Sequence, residues 1–336
     1  MTKLTTKKWL ITTPDYPPRL GGLSTYTLAL EKALEVNQQE FDVVVWNDPR
    51  EMSKVDASSY ERVLNIHYMG GFFGRWNTQK NTNFIHGSEI LFYSPNIIKK
   101  IIKKILRPKM ISYFQNSHEN IFISEFTMNK LNSFGLNVDY SRDSVFHNCI
   151  DTNGAELIDN NIISEILFVC IVRDVPHKNL DGVVKLLEDI AAHNPTLKIK
   201  LLTNSSRITS NRITIEAKSE LSDSQREEFY RRAHFNILLS KDDSDKGFYE
   251  GFGLTCLEAG KYGVPSIVSN TGGLPENVHH LYNGVVFNPK FTDEFHDDFK
   301  KALGNYSKMR DNTFKHTLSS HSIDMFSKLF RNRKNL

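Results

Sequence analysis

Two doubly wound α/β domains are the fold this sequence predicts, on three observations. Short β-rich runs alternate with helical stretches, the alternation falls into two series, and a turn-forming stretch separates them. The chain has 336 residues and 39% hydrophobic content, enough to bury two ordinary cores. Strand followed by helix, repeated, is the pattern of a parallel sheet covered on both faces.

The first series reads as strands over Trp9–Thr13, Asp42–Trp46, Val63–His67, Asn83–His86 and Ile121–Ser124. Helices fall over Ser24–Val36 and Glu125–Phe134. The second series has strands over Ile166–Val172, Leu197–Leu202, Ile213–Glu216, Phe235–Leu239 and Pro265–Ser269, with helices over Leu180–Ala192, Asp223–Arg232 and Leu254–Tyr262. Between them lies His147–Ala155, a stretch of turn formers that approaches a hinge. The boundary is placed near Asp159, giving domains of residues 1–158 and 159–318. Ser319–Arg331 reads as a final amphipathic helix.

Composition excludes several classes. Cys149, Cys170 and Cys256 are odd in number, far apart and outside any CxxC pair, which argues against a disulfide framework or a zinc site and fits a reducing cytoplasm. The apolar stretch Trp9–Ile11 is too short for a signal-peptide core, and no run approaches the ~20 apolar residues of a membrane span. A soluble or peripheral protein is expected. The net charge is +3, and the basic excess falls in the first half.

In open α/β sheets ligands bind beyond the carboxyl ends of the strands, so the loops after strands carry the candidate chemistry. After the first strand, Gly21 and Gly22 let backbone amides approach an anion just before a helix; a tight strand-to-helix turn would need the same pair. Arg173 and Lys178 follow an apolar strand at a spacing that can straddle a diphosphate, although a solvated loop is the plain alternative. The segment Glu250–Glu258 sets two carboxylates around a glycine-broken turn, with Gly251, Phe252, Gly253 and Leu254 leading into an apolar helix. Glu258 stands between Leu257 and Ala259, where a carboxylate is costly unless a partner or ligand satisfies it. A helix-capping pair is the structural alternative. A fourth loop, Ser269–Asn277, again delivers glycines after a strand.

The run Glu250–Glu258, continued through Ala259-Gly-Lys-Tyr-Gly-Val-Pro to Ser269-Asn-Thr-Gly-Gly-Leu-Pro-Glu276, resembles the signature of retaining GT-B glycosyltransferases of family 4. Gly21-Gly22, His86-Gly87, Phe122–Glu125, Asn148–Asp151 and the Arg173/Lys178 pair support the resemblance in register, so it spans most of the chain. It implies a GT-B fold, two Rossmann-like domains facing an interdomain cleft. Residues 1–158 would bind the acceptor and residues 159–318 the nucleotide-sugar donor, with a helix at about 319–336 packed back on the first domain. It also implies transfer of a sugar from a nucleotide-sugar donor to a hydroxyl of a glycan acceptor with retained configuration. Neither a metal nor a cofactor is expected beyond the donor as co-substrate.

Carried over to this sequence, the resemblance implies that Arg173 and Lys178 hold the diphosphate, Glu258 the ribose and Glu250 the donor sugar. Gly21 and Gly22 would close over the phosphates, and His86 would lie near the reacting sugar. Two departures bear on the nucleotide base: Val172 precedes Arg173 where the family has glycine, and Thr203–Arg207 replaces a glycine-rich turn. The acidic lead-in Lys241–Tyr249 is longer than the family's. A histidine closing an apolar strand, such as His86, also fits a purely structural role. His67, His118, His279 and His280 form no metal-ligand spacing.

Asn96–Arg107, closed by Pro108, holds the basic excess. On a helix Ile97, Ile98, Ile101, Ile102, Ile105 and Leu106 fill one half and Lys99, Lys100, Lys103, Lys104 and Arg107 the other. Such a helix can lie in an anionic membrane surface or pack on its own domain. With the resemblance, the membrane reading favours a lipid-linked surface polysaccharide or lipopolysaccharide intermediate as acceptor, on the inner leaflet of the cytoplasmic membrane. A GT-B-fold sugar-nucleotide epimerase and a nucleic-acid glucosylating enzyme are the enzymatic alternatives. No nucleic acid is expected, because basic residues are not interleaved with aromatics over a broad surface. A noncatalytic lipid-binding protein would explain the isoleucine-lysine helix and leave Arg173, Lys178, Glu250 and Glu258 without a shared purpose.

Overall fold

A computed structural model describes residues 7–18, 21–87, 97–290 and 292–331, apart from the side chains of residues 97–100, 103 and 292. The chain divides into two compact units: Met1–Asp151 with Ser244–Gly247 and His321–Leu336, and Thr152–Asp243 with Phe248–Ser320. The division falls seven residues before the expected Asp159, because Glu156 and Ile158 donate their amide hydrogens to the carbonyls of Lys261 and Tyr262 in the second unit.

The first unit is built on β1 (Trp9–Thr13), β2 (Phe41–Val45), β3 (Arg62–Asn65), β4 (Asn81–Ile85), β5 (Glu119–Phe122) and β6 (Ser144–Val145), in the order β2-β1-β3-β4-β5-β6 and parallel throughout. This is the flavodoxin-like doubly wound order with an added edge strand. Helices α1 (Gly22–Val36), α2 (Met69–Phe73), α3 (Ile97–Asn116) and α4 (Glu125–Ser133) connect the strands. A buried asparagine ladder crosses the sheet. Asn65 Nδ2 donates to Asn81 Oδ1 at 3.1 Å and to Asn83 Oδ1 at 3.2 Å, and Asn83 Nδ2 donates to Asn120 Oδ1 at 2.9 Å. These side-chain amides bond in series across β3, β4 and β5, which makes such unusual strand residues tolerable and fixes register.

α3 corrects the expectation that Pro108 closes the basic helix: the helix continues to Asn116 with Pro108 inside it. The proline removes one backbone donor, and the burial of Met110, Tyr113 and Phe114 in the next turns outweighs that loss.

The second unit orders β7 (Glu165–Cys170), β8 (Lys198–Thr203), β9 (Thr214–Ala217), β10 (Phe235–Leu238), β11 (Ser266–Ser269) and β12 (Gly284–Phe287) as β12-β11-β10-β7-β8-β9. Counted within the unit this is the Rossmann order, with its switch point between β7 and β10. Its helices are α5 (Leu180–His193), α6 (Asp223–Arg232), α7 (Leu254–Gly260), α8 (Leu274–Asn277), α9 (Thr292–Gly304) and α10 (Tyr306–Ser320). The last helix, α11 (Ile323–Arg331), belongs to the first unit. There Phe326 and Phe330 are buried with Trp9, Tyr26 and Phe84, and Phe326 lies 5.2 Å from the Tyr26 ring.

Candidate active site

The loops that leave β7 and β10 meet at the switch point of the second sheet, where the topology opens a crevice. After β7 the chain runs through Val172, whose amide donates to Asn204 Oδ1 at 3.1 Å, into a single helical turn at Pro176–Lys178. Asn179 then adopts a left-handed conformation to start α5, and its side-chain amide donates to the Leu239 carbonyl at 3.1 Å. The Lys241 amide donates to the His177 carbonyl at 2.8 Å. Two bonds thus hold the loop after β7 against the loop after β10.

Across this join Lys178 Nζ forms an ion pair with Glu250 Oε2. Their side chains are only 15% and 13% exposed, so the pair is little screened by solvent. Ser240 Oγ donates to the same carboxylate oxygen at 3.1 Å. The backbone of Glu250 is fixed as well: its carbonyl accepts from the Gly273 amide at 3.0 Å. Gly272, at φ +62°, approaches that carbonyl so closely that any side chain there would collide with it.

Gly251, Phe252 and Gly253 are buried rather than open, and Gly253 starts α7 at φ +83°, a conformation that favours glycine. Asn277 Nδ2 donates to the carbonyls of Phe252 and Gly253 at 3.3 and 3.2 Å. α7 ends at Gly260, two residues before the expected end, because Tyr262 already closes a turn on Ala259. Leu254 is half-buried on its first turn. Glu258, also half-buried, accepts a hydrogen bond from the Tyr230 hydroxyl of α6 at 2.8 Å. Burial, together with Glu258, raises the Tyr230 hydroxyl well above its ordinary range, so it stays a donor. Burial pushes the Cys256 thiol up to about 12, with Glu250 and Glu258 adding to the effect, so both carboxylates lie near this one thiol.

Arg173 is exposed on the loop after β7. His177 is buried and stacks on the Phe248 ring at 5.2 Å with 6° between planes. Burial, with Lys178 and Arg173 nearby, lowers its pKa. Arg207 bonds to Asp174 and Asp181, and Ser205 Oγ donates to Asp174 at 2.9 Å. The departing Thr203–Arg207 loop is thereby tied to the loop after β7.

The second unit brings together Lys178 and Glu250, and places Arg173, Gly251, Phe252, Gly253, Leu254 and Glu258 on the adjoining segments. The first unit holds Gly21, Gly22 and His86. Gly21 caps α1: its amide donates to Ser24 Oγ at 2.7 Å, and that hydroxyl donates back to the Gly21 carbonyl at 2.9 Å. Gly22 is the first residue of α1. His86 packs edge-on against Tyr26 at 4.5 Å; burial, with His67 nearby, lowers its pKa to about 3, so the ring is neutral near neutral pH.

Sequence reading missed Ser240, Tyr230, His177 and Asn179. Ser240 was within reach, since it closely follows a strand whose carboxyl end faces the switch point. Tyr230 carried no such signal, because its partner comes from another helix.

Residues 159–316 match the family model described as Glycosyl transferases group 1. Sucrose-phosphate synthase from Thermosynechococcus elongatus aligns with a TM-score of 0.71 at 13% identity, covering 98% of each chain. A glycosyltransferase from Rickettsia africae aligns at 0.70 and 14% identity, with the same coverage. Anabaena Alr3699/HepE in complex with UDP and glucose aligns at 0.65 and 14% identity, covering 98% of this chain and 99% of that one. A local match, 41% identical over 54 residues, links the chain to a GDP-mannose-dependent alpha-(1-6)-phosphatidylinositol monomannoside mannosyltransferase of Mycobacterium tuberculosis. That match spans 16% of this chain and 14% of the relative. The chain therefore has the two-domain GT-B fold, and residues 159–316, which hold Lys178, Glu250 and Glu258, match the glycosyl transferases group 1 model.

Proposed function

We propose that the chain is a retaining glycosyltransferase of family 4, moving a sugar from a nucleotide-diphosphate donor to a hydroxyl of a glycan acceptor without a metal at the reacting centre. The observation that carries the reading is the Lys178–Glu250 pair at the switch point, held by Ser240 and by the Gly272 turn. A buried ion pair contributes little net stability, so its retention there points to a ligand. Lys178 and Arg173 take the diphosphate. As phosphate oxygens engage Lys178, Glu250 is released to orient sugar hydroxyls and to stabilise positive charge developing at the anomeric carbon. Glu258, oriented by Tyr230, takes the ribose. Gly21, Gly22 and His86 belong to the acceptor-binding unit, where a neutral His86 acts as a hydrogen-bonding group. The Anabaena structures with UDP and the mycobacterial relative's use of GDP-mannose support a nucleotide-diphosphate sugar as donor.

The acceptor is a lipid-linked surface glycan, reached by peripheral attachment on the inner leaflet. Ile101, Ile102 and Ile105 are 54%, 49% and 70% exposed on α3 beside exposed Lys104 and Arg107, which supports an apolar face turned to lipid. Lys99, Lys100 and Lys103 are assigned to the same contact, and their side chains lie outside the described residues. No described helix is long and apolar enough to cross a membrane. The test is a panel of nucleotide sugars incubated with purified protein and membrane extract, following nucleotide release. Release with one donor and incorporation of its sugar into lipid is expected; silence across the panel would sink the proposal.

A further inference from the structure

Asp189, His193 and His296 come together on the second unit, away from the loops just described. Asp189 and His193 stand four positions apart on α5, so they share a helix face. His296 reaches them from α9, 107 residues beyond Asp189 in the chain. Its Nε2 lies 2.7 Å from Asp189 Oδ2, and the His193 and His296 rings stack with centroids 3.7 Å apart. Ligand atoms from all three residues lie within 4.8 Å of one another.

We propose that these three residues form a binding site for a single divalent transition-metal ion of the zinc type. One carboxylate lies beside both stacked rings, so two imidazoles and one carboxylate from two helices face a common point. A divalent ion placed there would take all three groups as ligands. Bond lengths of ~2.0–2.2 Å to nitrogen and oxygen hold ligand atoms roughly 3.3 Å apart. Asp189 Oδ2 and His296 Nε2 are 2.7 Å apart, and one ligand atom from each of the three residues lies within 4.8 Å of the others, so small side-chain rotations would admit the ion. His193 Nδ1 lies 2.9 Å from the Asp189 carbonyl, a contact that holds the ring. Imidazole and carboxylate ligands favour zinc, copper and nickel over magnesium and calcium.

The ion is structural rather than catalytic. α5 begins beside Lys178 and rises about 1.5 Å per residue, so its far end lies ~20 Å from the transfer site. There the metal ties α5 to α9 within the second unit. Sequence spacing shows only the Asp189/His193 half of the cluster, since the third ligand is brought by the fold.

The test uses the full chain, stripped with a chelator and titrated with zinc chloride by calorimetry. One equivalent is bound saturably, and the melting temperature rises by several degrees. Cobalt substituted for zinc gives visible bands of a tetrahedral N/O site. His296→Gln and Asp189→Asn each weaken uptake about 100-fold and abolish the thermal shift, whereas His118→Gln changes neither. Should His296→Gln fail to fold by circular dichroism, Asp189→Asn carries the comparison. Unsaturable uptake by the native chain, or one equivalent retained by the folded variants, overturns the site. Sugar transfer in Asp189→Asn stays at the native rate, which separates this result from the test of the transferase reading.

Discussion

Lys178 and Glu250, 72 residues apart in the chain, form an ion pair that Ser240 completes by donating to the same carboxylate oxygen at 3.1 Å. Removing either charge leaves the other buried and uncompensated, yet the two losses reach the reaction differently. Lys178→Ala is expected to raise the dissociation constant for the donor nucleotide about 100-fold. Glu250→Ala is expected to keep nucleotide binding and to lower transfer by about 100-fold or more, because in the proposed reaction it acts on charge developing on the sugar. Calorimetry with the nucleotide, set beside turnover, separates the two. Native behaviour in both variants would remove the assignment.

Gly272 combines a left-handed backbone with contact against the Glu250 carbonyl, so both reasons for glycine act at one position. Gly272→Ala is expected to lower stability by about 2 kcal/mol or more and to reduce transfer further by displacing Glu250. Gly304, where an added methyl group would meet no atom within 4 Å, serves as the control. Gly304→Ala should keep native activity and change stability by less than about 1 kcal/mol. Urea denaturation compares them, and equal stability in the two variants would contradict the close approach.

His86 gives an acid-side prediction. Its pKa is about 3 in the folded protein against 6.5 when exposed, because burial disfavours the charged ring. Between those values the unfolded chain binds a proton that the folded chain does not. The stability this group contributes is therefore full above pH 6.5 and is lost as pH falls towards 3, at up to about 1.4 kcal/mol per pH unit. Urea midpoints measured from pH 7 to pH 4 should fall less steeply in His86→Gln. Parallel slopes would show that His86 titrates normally.

Ile105, 70% exposed, tests the lipid contact. Ile105→Glu is expected to reduce association with vesicles containing anionic phospholipid at least about 10-fold while sparing turnover on a soluble acceptor. Sedimentation with vesicles reads the first and nucleotide release the second. Unchanged sedimentation rejects the membrane contact.

The strand interiors were legible because apolar residues fill them, and β1 falls on its expected residues, Trp9–Thr13. The strand edges were less so. Asn81 reads as a turn former in isolation and becomes a strand residue only because Asn65 and Trp76 bond to it across the fold. Pro108 likewise reads as a helix stop, since sequence does not reveal the burial that carries α3 onward. Glu250, Lys178 and Arg173 were visible as loop residues after strands, and Glu258 as a carboxylate among the packing residues of α7. Tyr230 and the His296 partnership were not, because both depend on contacts between helices distant in sequence.

The burial of Phe326 and Phe330 from α11 has a consequence for how the protein is made. They complete a core whose other members, Trp9, Tyr26 and Phe84, are synthesised first, and Asn37 donates to the Ser327 carbonyl at 2.8 Å to anchor the same helix. During translation the earlier unit must wait, with an unfilled apolar groove, until the whole second unit has been made. The order of completion is the reverse of the order of synthesis: the Rossmann unit, whose core is contiguous in sequence, can close while its predecessor is still open.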